Sequence, residues 1–155
     1  MSKIVEKQLA VKESKEYIIS NRHYVMNRYG ENIGGLAMAG INKELLVSVG
    51  IDVDEAMHRL LNNEELLIRF LKKFPTDGNY KLLKESLEKG DVQVAFRAAH
   101  TIKGLCGNLS MNVLKLIVSE QVEYLRAGNL EEAIRVMPRV TAEYEALVEV
   151  ISTIS

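Results

Sequence analysis

The sequence predicts an all-α protein: an up-and-down four-helix bundle with extra short helices at one end and an N-terminal helical extension. Three observations support this fold class. From residue 52 onward apolar residues recur at spacings of three and four, while the alternation typical of strands is weak. Polar capping residues and glycines divide the same region at regular intervals, and only 2 prolines occur in 155 residues. Helices joined by two to five residues pack as antiparallel neighbours, which favours a bundle.

The first 45 residues form a predicted N-terminal extension that is partly helical. Its apolar residues recur every seven positions, at Ile4, Val11, Ile18 and Val25. Five glycines between residues 30 and 50 separate this segment from a bundle domain predicted over residues 46–155. Residues 1–29 carry six Lys/Arg and three Glu, a net charge of +3, whereas residues 30–155 carry fourteen Lys/Arg and eighteen Asp/Glu, a net charge of −4.

Two short helices are predicted before the bundle. Asp52 begins the first, because an aspartate that precedes an apolar-periodic segment is a favourable N-cap. Asn63 caps the second, which ends near Phe74 because Pro75 disfavours helical backbone in the residue before it. We expect these two helices to cover one end of the bundle.

The four bundle helices are predicted to begin near Asp77, Asp91, Ser110 and Asn129. The first starts at Asp77 or Asn79 and ends at Gly90, and the third ends at Gly128. The last starts with Asn129-Leu-Glu-Glu, a pattern similar to a capping box. Pro138 lies inside that helix and is expected to bend it.

The composition argues against several classes of function. A net charge of −1 and a pI of about 6.3 provide no basic field for nucleic acid. Cys106 is the sole cysteine, which excludes an internal disulfide and a multi-thiolate metal site. No apolar run approaches the roughly 18 residues of a membrane span, and the N-terminus lacks the apolar stretch of a signal peptide. We therefore expect a cytoplasmic monomer without bound metal, and the first methionine favours a free-standing protein.

The segment from Asp91 to Leu109 is the most informative part of the sequence. On a helical wheel at about 100° per residue, the predicted core face comprises Val94, Ala95, Ala98, Ile102, Leu105 and Leu109. His100 lies on the opposite side, where it is predicted to face solvent. A histidine in this position can be reached from outside the bundle.

The residues that flank His100 indicate what could reach it. Gly107 and Gly104 lie at about −20° and +40° on the wheel, and Lys103 and Phe96 lie at about −60° and −40°. Each glycine costs about 1 kcal/mol relative to alanine inside a helix, and together they remove side chains that would shield the ring. Lys103, one turn away, can hold an anion on the ring nitrogen. Taken singly these are ordinary features of a surface helix, but their combination favours an acceptor of a phosphoryl group.

The stretch Ala99-His-Thr-Ile-Lys-Gly-Leu-Cys-Gly-Asn-Leu109 resembles the signature of histidine-containing phosphotransfer (HPt) domains of two-component phosphorelays. The resemblance extends over roughly residues 46–155. It implies that His100 is the phosphorylated residue, that Lys103 helps to hold the phosphoryl group and that Gly104 gives a receiver domain access. Ser110 departs from the pattern, since many members have a third glycine there.

The function implied by this resemblance is that of a phosphorelay intermediate. His100 would accept a phosphoryl group from a receiver-domain aspartate, or from a histidine kinase pathway, and another receiver would take it. The expected partners are response-regulator receiver domains, with a hybrid sensor histidine kinase as a further candidate. The expected docking surface comprises Gln93, Phe96, Arg97 and Gly107. No GxxxxGK[ST] loop occurs, so we expect no use of ATP, no cofactor and no autonomous catalytic activity, with Mg²⁺ on the partner receiver only.

The sequence leaves other interpretations open. The dimerisation and phosphoacceptor domain of a histidine kinase would follow its histidine with an acidic residue, whereas Thr101 follows here. A phosphoacceptor fragment of a larger hybrid sensor kinase is another open interpretation. A di-iron bundle needs two Glu-x-x-His runs, and Glu55-Ala-Met-His58 supplies only one. A non-catalytic helical scaffold with an incidental histidine is a further possibility. Cys106 lies near the core edge and is interpreted as a small core residue rather than a nucleophile.

Overall fold

The structure, a computed structural model, describes residues 41–155. These residues form α1 (Lys43–Ser48), α2 (Val53–Arg59), α3 (Glu64–Lys73), a 3₁₀ turn (Phe74–Thr76), α4 (Asn79–Lys89), α5 (Val92–Asn108), α6 (Asn112–Arg126) and α7 (Leu130–Ile151). Within this range no β-strand forms, and one isolated antiparallel bridge joins Ile51 to Met111. The predicted all-α class is therefore confirmed. The apolar stripe of the N-terminal extension lies outside the described residues, and the division near residue 46 stays a prediction.

Side-chain caps begin four of these helices at the predicted positions. In each case an oxygen of the cap accepts a hydrogen bond from the backbone N–H three residues later. The caps are Asp52, Asn63, Asp91 and Asn129, with N···O distances of 2.9, 2.9, 3.0 and 3.2 Å. Such a bond satisfies one of the free N–H groups at a helix start and contributes about 1 kcal/mol.

The helix ends also follow the sequence. Gly90 and Gly128 have φ angles of 74° and 73°, the left-handed conformation that glycine adopts without strain. Asp77 precedes α4 and accepts a hydrogen bond from the backbone N–H of Asn79, where the helix begins. Pro138 lies inside α7, as predicted.

α6 begins near Ser110, as predicted, but Ser110 is not its cap. The N-cap is Met111, and no side chain caps this helix start. Ser110 instead adopts a φ angle of 51°, and its carbonyl oxygen accepts a hydrogen bond from the backbone N–H of Asp52. The segment preceding α2 therefore pairs with the α5–α6 connection and imposes a left-handed conformation on Ser110. That conformation is normally reserved for glycine.

Helices α4 to α7 form the predicted bundle. α5 packs against α4 and α6, and α7 packs against α6 and α4. Their connections are only two or three residues long, so sequence neighbours run antiparallel. Fully buried side chains from all four helices fill the centre, among them Leu83, Ala95, Leu114, Val118, Val140 and Leu147. No helix within residues 41–155 is both long and apolar enough to span a membrane.

The buried face of α5 is rotated relative to the wheel. Val94 and Leu105 are only half-buried, whereas Ala99 and Cys106 are fully buried. The other predicted core residues are buried as expected, namely Ala95, Ala98, Ile102 and Leu109. Ala99 and Cys106, which the wheel did not place in the core, lie toward the side of α5 on which α6 packs. A wheel of one helix cannot indicate how much of that side α6 covers.

Candidate functional site

His100 lies on the exposed face of α5, near the middle of the helix. The two alanines that precede it, Ala98 and Ala99, are both buried, so the backbone is firmly packed immediately beneath the imidazole. A rigid helix that presents one reactive side chain to solvent is a suitable base for a group that another protein must reach.

The Phe96 ring lies against the imidazole from one turn earlier in α5. The two ring centroids are 5.8 Å apart with an interplanar angle of 29°. Phe96 is half-buried, and the Arg126 guanidinium of α6 lies 5.7 Å from its centroid on the other helix of the hairpin. Arg126 in turn pairs with Glu123 at 2.7 Å. One side of His100 is therefore supported by an aromatic ring, itself contacted by a cation.

Gly104 leaves open space one turn after His100. Apart from its chain neighbours and the nearby backbone of α5, a Cβ built on this residue would meet no atom within 4 Å, and its backbone is not left-handed. Neither packing nor backbone conformation therefore requires glycine here. What the missing side chain provides is clearance on the solvent side of the helix, next to the imidazole.

Gly107 differs from Gly104. A Cβ at this position would lie 3.8 Å from both Cε and Nζ of Lys115, so the side chain of Lys115 from α6 already lies beside it. Gly107 is half-buried, whereas Gly104 is exposed. We expected both glycines to leave the strip beside His100 bare, and the structure assigns that property to Gly104 alone.

The remaining predicted site residues lie on the same side of α5. Gln93 and Arg97 are exposed, two turns and one turn before His100, and Lys103 is half-buried one turn after it. The carbonyl oxygen of Arg97 accepts a hydrogen bond from the Thr101 hydroxyl at 2.9 Å. All the residues singled out on α5 thus share one continuous surface.

The sequence analysis missed Lys115 and Arg126, which α6 adds to this surface. A helical wheel of α5 could not reveal them because they belong to another helix. A signal was nevertheless present: Lys115 and Gly107 are equally distant from Met111 in the sequence, and so are Arg126 and Phe96. In an antiparallel hairpin centred on Met111, residues at equal distances from the turn lie opposite each other.

The other titratable candidates have a different character. Cys106 is fully buried, and burial raises the pKa of its thiol to about 12, which suppresses the thiolate a nucleophile requires. Glu55 binds Arg59 at 2.6 Å, and this hydrogen bond lowers the pKa of the carboxyl group. His58 is exposed on the same helix. Among residues 41–155, no group of three or more His, Cys, Asp or Glu side chains is placed to hold a metal ion.

Comparisons with known proteins place these observations in a family. The Hpt domain model matches residues 53–150, which cover most of the chain and include every candidate site residue on α5 and α6. Among solved structures, the histidine-containing phosphotransfer protein B (HptB) of Pseudomonas aeruginosa PAO1 is similar, with 22% sequence identity and a TM-score of 0.49. That match covers 75% of this chain and 94% of HptB. The comparison with curated proteins gave no match.

Membership of this family implies interaction with receiver domains and kinases. The chain belongs to the Hpt domain family and has a histidine phosphotransfer role in phosphorelays.

Proposed function

We propose that this chain is a phosphorelay intermediate that accepts a phosphoryl group on His100 from the aspartate of one receiver domain and delivers it to another. The observation that carries the proposal is the exposed imidazole beside the open space at Gly104. The aspartyl phosphate of a receiver is recessed below the receiver surface. The histidine that reaches it must therefore project from a helix with open space around the imidazole ring. Gly104 provides this clearance in the interior of α5.

The chemistry requires little of this chain. A nitrogen of the neutral His100 imidazole attacks the phosphorus atom of the aspartyl phosphate, a P–N bond forms, and the P–O bond to the aspartate breaks. The aspartate leaves as a carboxylate, and the ring proton stays on the other nitrogen until solvent or a neighbouring base removes it. Delivery to the second receiver reverses these bond changes. The Mg²⁺ that stabilises the moving phosphoryl group belongs to the receiver in this proposal.

Lys103 is the proposed phosphoryl-stabilising residue. It follows His100 by three residues, a rise of roughly 4.5 Å along the helix, and lies on the same side. A lysine ammonium at that distance can donate a charge-assisted hydrogen bond to a phosphoryl oxygen. Lys103 is half-buried, and a lysine can lay its aliphatic part along apolar surface while its ammonium stays in solvent.

The proposed docking surface comprises Gln93, Phe96 and Arg97 on the N-terminal side of His100 and Gly107 on the other side. Aromatic and arginine side chains are enriched in the central part of protein interfaces, where they contribute most of the binding energy. Phe96 has both properties required here, since it is partly exposed and contacts the reactive ring. A receiver that covers His100 would therefore also cover Phe96.

A two-receiver relay assay tests this proposal. One receiver domain is phosphorylated, freed of its phosphodonor, and mixed with a second receiver in the presence or absence of this chain. We expect label to reach the second receiver quickly only when the chain is present, and to pass through an acid-labile phosphohistidine. His100→Gln should abolish the relay, while the matched control His58→Gln, which removes another exposed histidine, should leave it intact.

Two alternatives give different results in the same assay. A non-catalytic scaffold would leave the second receiver unlabelled, or would accelerate transfer without ever becoming labelled itself. A phosphoacceptor that serves only a kinase would become labelled by that kinase and would not exchange with receivers. Either result would exclude the proposed relay between two receivers.

A further inference from the structure

Four cations from two helices lie on the surface that presents His100. Arg97 and Lys103 belong to α5 and lie three residues before and after the histidine. Lys115 and Arg126 belong to α6 and reach the same surface beside Gly107 and Phe96, respectively. We call these four residues the basic face. It extends along about two turns of α5 on the C-terminal side of His100 and one turn on the N-terminal side.

The acidic residues of the same hairpin pair with only one of these four cations, Arg126. Asp91 accepts a hydrogen bond at the start of α5, nine residues from His100. Glu120 pairs with Arg139 of α7 at 2.8 Å, and Glu123 pairs with Arg126. Within the described part of the chain, Arg97, Lys103 and Lys115 therefore form no ion pair.

The basic face contrasts with the remainder of the described chain. Residues 91–126 carry four Lys/Arg and three Asp/Glu, whereas the rest of residues 41–155 carries ten Lys/Arg and fourteen Asp/Glu. The excess positive charge is thus confined to the hairpin that presents His100, on a domain that is otherwise acidic. A field of this kind orients an approaching partner of opposite charge.

Lys115 is too far along the helix to hold the phosphoryl group itself. Gly107, which it lies beside, follows His100 by seven residues, a rise of about 10.5 Å. This separation is comparable to the Debye length of about 10 Å at 0.1 M salt. Lys115 can therefore influence the approach of a partner without touching the transferred group.

We propose that the basic face selects, among receiver domains, those whose surface around the phosphorylated aspartate has an acidic rim, and that Lys115 is one of the residues that determine this selection. The inference rests on the proposed function, since it assumes that receivers dock over His100. Charges at an interface rim act mainly on the association rate and its salt dependence. The selection should therefore appear as a difference in transfer rate that salt removes.

The test uses Lys115→Glu and a matched control, Lys84→Glu, which makes the same change in net charge elsewhere. Lys84 lies on α4 next to Tyr80, whose hydroxyl group hydrogen-bonds Thr141 of α7, so it is remote from the α5–α6 surface. The probe is the receiver domain from the same genome that donates fastest to the wild-type chain. The second-order rate constant of transfer is measured at subsaturating protein concentrations, where association limits the rate. The measurement is made in 0.05 M and 0.5 M salt.

We expect Lys115→Glu to slow transfer about fivefold to tenfold in 0.05 M salt and less than twofold in 0.5 M salt. Lys84→Glu should change the rate less than twofold in both. Arg97→Glu, which changes an exposed residue of α5, should give the same result as Lys115→Glu. If Lys115→Glu melts below the assay temperature, Arg97→Glu is used in its place. Phosphoramidate, a small donor that needs no docking, should phosphorylate Lys115→Glu and Lys84→Glu at the wild-type rate.

Several outcomes would overturn the inference. A wild-type transfer rate that does not depend on salt, equal slowing by Lys115→Glu and Lys84→Glu, or faster transfer in Lys115→Glu would each exclude selection by the basic face. These results leave the proposed function intact because transfer still occurs. If no receiver transfers to the wild-type chain although phosphoramidate labels it, the proposed relay fails and this inference fails with it.

Discussion

Replacing Gly104 with glutamine should stabilise the isolated protein and at the same time slow its phosphorylation by a receiver. The residue lies inside α5, its backbone is not left-handed, and no atom beyond its chain neighbours and the nearby backbone of α5 lies within 4 Å of the position of an added Cβ. A larger side chain therefore fits the isolated protein without a clash. It fits the complex only if the receiver leaves that space empty.

The size of the stability change follows from helix propensity. Glycine is less favourable than alanine by about 0.8–1.0 kcal/mol in a helix interior, and glutamine is close to alanine. With no steric penalty to subtract, Gly104→Gln should raise the free energy of unfolding by about 0.5–1 kcal/mol. In a protein of this size, that corresponds to an increase in melting temperature of about 2–3 °C.

The effect on transfer has the opposite sign. The glutamine side chain would begin one turn from His100 and extend into the space a receiver needs to approach the ring. We expect the rate of transfer from a receiver to fall at least about tenfold, equivalent to about 1.4 kcal/mol in the barrier. Gly104→Ala adds only a Cβ atom, so it should give a similar melting temperature with a smaller loss of rate.

Thermal denaturation and single-turnover transfer on the same preparations measure both effects. Phosphoramidate provides the control, because a small donor should phosphorylate Gly104→Gln as fast as wild type. If Gly104→Gln melts at a lower temperature, the glycine serves packing and the argument from open space is wrong. If it melts at a higher temperature and still accepts from the receiver at the wild-type rate, Gly104 does not provide access.

Two further predictions concern charged groups. Lys103→Ala should slow transfer or shorten the lifetime of the phosphohistidine by the loss of a contact worth about 1.5–3 kcal/mol, without abolishing acceptance; an unchanged rate and lifetime would make Lys103 an ordinary solvated lysine. Burial raises the pKa of Glu143 above its ordinary value of 4.5, so ionisation is costlier in the folded state and wild type should lose stability relative to Glu143→Gln as the pH rises from 4 to 8. Denaturant titrations of both proteins at the two pH values measure this, and a difference that is independent of pH would contradict it.

Much of the fold could be predicted because its signals are local. The caps at Asp52, Asn63, Asp91 and Asn129 each bind a backbone N–H three residues away, so a short stretch of sequence contains both partners of the bond. Gly90 and Gly128 end helices for an equally local reason, the left-handed backbone. Elements of this kind depend little on the rest of the chain.

The errors arose where distant segments meet. Serine is a residue type that favours helix N-caps, but Ser110 adopts a left-handed backbone conformation where its segment pairs with the segment before α2. Ala99 and Cys106 are buried because α6 covers that side of α5, which a wheel of one helix does not represent. Lys115 and Arg126 reach the site from across the hairpin. The reactive face of α5 could thus be predicted from its own sequence, whereas the contribution of α6 required the packed structure.

The most direct test of the proposed role is to locate the phosphoryl group. The wild-type chain is incubated with a phosphorylated receiver, separated from it under mildly alkaline conditions that preserve phosphohistidine, digested and mapped by tandem mass spectrometry. The predicted result is a single phosphoryl group on His100 and none on the His100→Gln protein. A phosphoryl group on His58, or one that persists in His100→Gln, would contradict the assignment of His100 as the phosphoacceptor.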